Sequence, residues 1–126
     1  MNPKTFVAGI ALSLAVLTGS AYAWDQIGVR EVRERVERDT IVVEGARRFE
    51  RIRLCAYRNP VHILDMDVHF ANGGHQDVSL RERINPGHCS RAIDLEGDDR
   101  NIRSVTMVYE ETSARRRTAT VRLFAE

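Results

Sequence analysis

The stretch VHILDMDVHFANGGHQDVSLRERI, residues 61–84, constrains the fold more tightly than any other part of the chain. His62, Leu64, Met66, Val68 and Phe70 alternate with Ile63, Asp65, Asp67 and His69, the period-two pattern of a strand with one buried face. Asn72-Gly73-Gly74 follows, and these residues tolerate the positive φ that a tight reversal needs. A two-residue loop at Asn72-Gly73 sets Val68 opposite Asp77 and mixes apolar with charged side chains on one face. A three-residue loop over Asn72, Gly73 and Gly74 sets Val68 opposite Val78 and Met66 opposite Leu80, with His69 facing Asp77 and Asp65 facing Arg81. Only the second register satisfies every pair, so a long hairpin with an apolar inner face and a charged outer face is expected.

Residues 1–23 read as an export signal. Lys4 lies in a short basic head, an apolar run extends from Phe6 to Leu17, and Ala21-Tyr22-Ala23 fits the small-residue cleavage rule. The run is shorter than the roughly 20 residues of a spanning helix, so no stable membrane anchor is expected after cleavage. The expected mature unit, residues 24–126, is long enough for one domain. Lysines and arginines number 19 against 18 aspartates and glutamates, a balance that argues against a nucleic-acid binder. Lys4 is the only lysine, so arginine supplies the cationic side chains of the mature unit, with local excesses at Arg47, Arg48, Arg51 and Arg53 and at Arg115 to Arg117.

Short apolar alternations separated by turn residues fill the remainder. Residues 24–36 read as a strand that slips phase between Val29 and Val32, Asp39-Thr40 as a turn, and residues 48–57 as a strand burying Ile52, Leu54 and Ala56. Asn59-Pro60, Asn85-Pro86-Gly87 and Glu96-Gly97-Asp98-Asp99 are turn signals. A strand is expected from His88 with Ile93 and Leu95 inward. Val105, Met107 and Tyr109 share a face, as do Ala119, Val121, Leu123 and Ala125. About eight strands without a convincing amphipathic helix predict an all-β domain, a single antiparallel β-sandwich of jelly-roll-like or Greek-key type.

Three groups of residues carry candidate chemistry. Cys55 and Cys89 are the only cysteines, and in an exported chain one disulfide is expected, stabilising by about 3 to 4 kcal/mol in the chain-entropy picture. Asp65, Asp67, His69 and Asp77 share the outer hairpin face and form a candidate metal site, against the plainer reading of a solvated ladder of cross-strand pairs. Arg115, Arg116 and Arg117 form a candidate ligand-binding loop for anionic glycan or lipid groups, held by forked guanidinium contacts. Ser79, Ser90, Ser104 and Ser113 belong to no nucleophile motif. The expectation is therefore a protein that is not an enzyme and needs no cofactor.

Ile27-Gly28, Arg51-Ile52-Arg53-Leu54, Val68-His69-Phe70-Ala71-Asn72-Gly73, Ile84-Asn85-Pro86-Gly87, Arg91-Ala92-Ile93-Asp94-Leu95 and Arg100-Asn101-Ile102 together resemble the YaaI-like group of small exported bacterial proteins. The resemblance implies an exported all-β domain of unknown function and carries no catalytic residues. Asp94 and Arg100, in its most recognisable segment, are expected to form a structural pair across the Gly97 turn. A periplasmic or secreted binding or structural module, with an unknown envelope component or protein as partner, is the resulting expectation.

Overall fold

The computed structural model describes residues 23–33, 35–45, 47–97, 100–114 and 117–126. The expected export signal, apart from Ala23, lies outside the described residues, as do Asp98, Asp99, Arg115 and Arg116.

Ten strands are present among the described residues: β1 (Asp25–Val32), β2 (Glu37–Val42), β3 (Arg48–Phe49), β4 (Arg51–Tyr57), β5 (Val61–Phe70), β6 (His75–Val78), β7 (Glu82–Ile84), β8 (Ile93–Asp94), β9 (Arg100–Glu111) and β10 (Ala119–Ala125). They form two antiparallel sheets, ordered β1-β10-β4-β8 and β2-β9-β5-β6, with β3 paired to β9 and β7 to β5. Eight principal strands in these two orders form a jelly roll, so the expected fold class holds and the sheet orders give its connectivity. The two strands beyond the expected eight are short: β3 is a separate two-residue piece because the run 48–57 breaks at Glu50.

The inner faces meet in one core. Ile52, Leu54, Ala56, Val121 and Leu123 from one sheet oppose Ile63, Met66, Val68, Val105, Met107 and Tyr109 from the other, all fully buried. Burial of each larger apolar side chain contributes about 1.5 to 3 kcal/mol. At the edge where β1 approaches β2, Gly28 lies against Ile41, and a Cβ there would stand 2.2 Å from Ile41 Cγ2. The absence of a side chain thus lets the two sheets close. Nearby, the Tyr109 hydroxyl donates to Asp39 Oδ2 at 2.5 Å; burial and then this hydrogen bond raise the phenol pKa.

The central hairpin differs from the expected register by two residues. Met66 opposes Val78, Asp67 opposes Asp77, Val68 opposes Gln76 and His69 opposes His75. The three-residue loop is Ala71-Asn72-Gly73, closed by the Phe70 N–H to the Gly74 carbonyl at 2.8 Å and the Gly73 N–H to the Phe70 carbonyl at 3.0 Å. Gly73 adopts a φ of 97°, and the Asn72 Oδ1 accepts the Gly74 N–H, a side-chain contact that fixes this loop over the one shifted by a residue. A shift of two keeps each residue on its face and changes only its partner. Within β5, Leu64 is an extra residue between the Ile63–Tyr109 and Asp65–Val108 pairs. This bulge reverses the phase, so Val61 and Ile63 are buried and His62 faces outward, contrary to simple alternation.

Three further expectations change. The β1 irregularity lies at Ile27, between the Leu123–Gly28 and Phe124–Gln26 pairs, and β1 ends at Val32. Asp39 and Thr40 lie inside β2, opposite Met107 and Thr106, because pairing with β9 overrides their turn preference. Residues after His88 pair with β4 only locally: Ser90 N donates to the Leu54 carbonyl, and Cys55 and Cys89 form an isolated bridge that carries the expected disulfide, with Cα atoms 3.9 Å apart.

Candidate functional site

The outer face of the β1-β10-β4 sheet is set by the alternation of β10. Ala119, Val121, Leu123 and Ala125 enter the core, so Thr120, Arg122 and Phe124 point outward. Thr120 stands between Glu31 and Tyr57, and Arg122 stands between Val29 and Cys55. Two more arginines arrive from strand ends: Arg33 just beyond β1, and Arg58 in the turn after β4, where it adopts a φ of 75°. Thr120, Arg122, Arg33 and Arg58, with Arg30, Glu31 and Tyr57, line an open cleft of about 830 Å³, a size ordinary for small-molecule sites.

Its electrostatics are lopsided: four arginines and one carboxylate, Glu31, are among the residues that line it. Arg33 Nη2 lies 2.5 Å from Glu31 Oε1, and Arg58 Nη1 lies 3.5 Å from Glu31 Oε2 and 3.4 Å from Thr120 Oγ1. Arg33, by hydrogen bond and charge, holds the Glu31 carboxyl below its ordinary pKa, with a smaller contribution from Arg58. The Arg122 guanidinium sits 4.8 Å over the Tyr57 ring, which orients it. Arg30 donates to the Thr40 carbonyl at 2.9 Å and so ties the cleft rim to β2. Farther along the same face Arg53 lies over the Trp24 ring, and Arg51 pairs with Glu126.

The expected site residues are distributed differently. Arg117 is exposed, and its N–H donates to Ser113 Oγ at 2.9 Å; with Arg115 and Arg116 outside the described residues, the loop is seen only at its ends. At its far end the Thr118 carbonyl accepts from Asn59 Nδ2 at 2.6 Å, one residue along the chain from Arg58. Arg47 pairs instead with Asp25, at the opposite end of β1, and stacks on Phe49. Asp94 and Arg100 do not form the expected pair: Arg100 donates to the Glu96 carbonyl at 2.7 Å and covers the Phe70 ring, while Asp94 stands opposite Arg51.

On the outer face of the other sheet, Asp67 accepts from His75 Nδ1 at 3.0 Å and lies 3.1 Å from His69 Nε2, and the two rings stack with centroids 6.0 Å apart. His75, absent from the expected set, enters through the shifted register. Asp65 stands opposite Val108 on β9, and the expected pairing of His69 with Asp77 gives way to His69 with Asp67. Among the described residues no three His, Cys, Asp or Glu side chains are grouped so as to hold a metal ion.

Fold and cleft define an all-β jelly roll with a cationic outer face. Residues 5–125 match DUF2541, a domain of unknown function, and the chain belongs to that family. This agrees with the expected small uncharacterised domain. No curated protein matches the chain. Among solved structures it is similar to AlgX of Pseudomonas aeruginosa, at 14% identity and a TM-score of 0.48 over 81% of this chain and 27% of that one. It therefore spans little more than a quarter of that protein's length.

Proposed function

We propose that the protein is an exported, non-enzymatic binding module, periplasmic or secreted, that recognises an anionic glycan of the cell envelope through the outer face of the β1-β10-β4 sheet. The observation that carries this reading is the excess of arginines over carboxylates among the residues that line one open cleft, beside a tyrosine ring. Guanidinium forks match carboxylate and sulfate groups, and aromatic rings offer a flat surface for sugar rings. Export is supported by the signal-like first 23 residues and by the Cys55–Cys89 disulfide. A glycan is favoured over a lipid surface because the exposed large apolar side chains among the described residues are only Val29, Val36 and Val42, with no bulky wedge to insert.

The test is titration of the protein with heparin, polygalacturonate and neutral dextran at low and high salt. Binding to either anionic polymer that weakens with salt, and falls about tenfold in Arg58→Ala and in Arg122→Ala, is expected. Equal binding of dextran, or unchanged affinity in both variants, overturns the reading. Binding to vesicles of anionic lipid but to neither glycan transfers it to a lipid head group.

A further inference from the structure

We infer that Glu31 is a built-in occupant of the cleft, holding between Arg33 and Arg58 the place that an anionic group of a polyanionic ligand takes. The inference rests on the proposed anionic-glycan reading of the same face.

Glu31 reaches this position by register, pointing outward opposite Thr120 at the end of β1. Its two oxygens are divided between two cations that come from different parts of the chain, Oε1 to Arg33 and Oε2 to Arg58. A carboxylate bridging two guanidiniums is the arrangement that a ligand carboxylate or sulfate would adopt there. The clip is also displaceable. Side-chain exposures of 43% for Glu31, 70% for Arg33 and 55% for Arg58 leave all three reachable from solvent. An exposed pair of this kind is only weakly held. Arg58 has a second partner in the Thr120 hydroxyl, so it stays aimed at the cleft when Glu31 leaves.

Occupancy by Glu31 selects the kind of ligand. A lone small anion exchanges one carboxylate for another and gives up the tether that makes Glu31 local, so it gains nothing. A chain with repeated anionic groups gains, because a neighbouring group meets Arg122 on the next row of the sheet while the first displaces Glu31. The cleft is thus set to ignore single anions and respond to polymers.

Dissociation constants of the full protein for polygalacturonate and heparin test this, with Glu31→Gln compared with wild type and with Glu44→Gln, which removes the same charge at an exposed residue outside the cleft. Glu31→Gln is expected to tighten binding by about fivefold, with Glu44→Gln near wild type. Arg33→Ala and Arg58→Ala added to Glu31→Gln are expected to remove the gain. Acetate and inorganic sulfate are expected not to compete at concentrations matched in anionic groups. Salt-sensitive binding by wild type that Glu31→Gln leaves unchanged or weakens, or that Glu44→Gln tightens equally, overturns the inference while leaving the anionic-glycan reading in place. Absence of binding by wild type and Glu31→Gln alike overturns both. Thermal melting of each variant verifies folding, and Glu31→Ser supplies a second probe if the glutamine variant is unstable.

Discussion

The outer face of the β1-β10-β4 sheet and that of the β2-β9-β5-β6 sheet are built on the same alternation over the same core, yet they dispose of charge in opposite ways. On the second, polar groups answer one another in place: Asp67 is shared by His69 and His75, His62 lies 3.5 Å from Glu110, and Thr40 and Thr106 hydroxyls meet at 3.1 Å. On the first, Arg51 pairs with Glu126, but the cleft sets Glu31 among four arginines, each with five fixed N–H donors. A face whose histidines already have carboxylate partners is well suited to contribute structure, whereas one left with surplus donors is suited to bind. The contrast comes from side-chain chemistry alone, since backbone pairing treats both sheets alike.

The disulfide offers the hardest test of that contrast, because Cys55 lies on the arginine face opposite Arg122. Replacing both cysteines by serine opens a loop with a sequence separation of 34 and is expected to lower the unfolding free energy in urea by about 4 kcal/mol. Anionic-polymer affinity is expected to fall as β4 loosens, while the His69 and His75 NMR shifts hold. Loss on both faces together would show that they are not separable. Gly28→Ala probes the seam between the sheets. With Ile41 Cγ2 only 2.2 Å from the new Cβ, a loss of about 1 to 3 kcal/mol in the same assay is expected. An unchanged midpoint would mean that Ile41 turns aside freely.

The smallest effect concerns pH. The hydrogen bond to Asp67, then the charges of Asp67, Asp77 and Glu96, raise the His75 pKa above its ordinary 6.5. Because the folded-state value is the higher one, the stabilisation from this contact is complete below pH 6.5 and fades as pH rises through the raised value. His75→Asn is therefore expected to lose stability relative to wild type in acid and to match it in alkali. A gap that widens with rising pH would show that the matched face is not held by this pair.

Strand faces were legible where alternation runs unbroken. Ile52, Leu54 and Ala56, then Val105, Met107 and Tyr109, then Ala119, Val121, Leu123 and Ala125 are all buried as their spacing predicts. Alternation misleads at bulges: nothing local in residues 61–70 marks Leu64 as the extra residue, because the bulge depends on β9. Pair compatibility selected a hairpin register two residues away, since it weighed partners across the strands and not the hydrogen bond of Asn72 to Gly74 that sets the turn. The cleft was less legible still. Arg122 is visibly outward in its strand, but Arg33 and Arg58 join it only because β1 and β4 flank β10, which is a property of the sheet order. Arg115 to Arg117 are dense along the sequence, whereas the arginines of the cleft are dense only in space.

The pairing of β1 with β10 also bears on time. Asp25 opposes Ala125 and Val32 opposes Ala119, so the earliest described strand finds its hydrogen-bonding neighbour in the latest. During synthesis, the β1 edge that β10 takes stays unmatched until residues 119–125 have been made, and β4 waits for the same partner. Such remote pairing slows closure of a sheet relative to one built from adjacent hairpins. A sheet wired in this manner stays unclosed between β1 and β4 for as long as residues 119–125 are withheld.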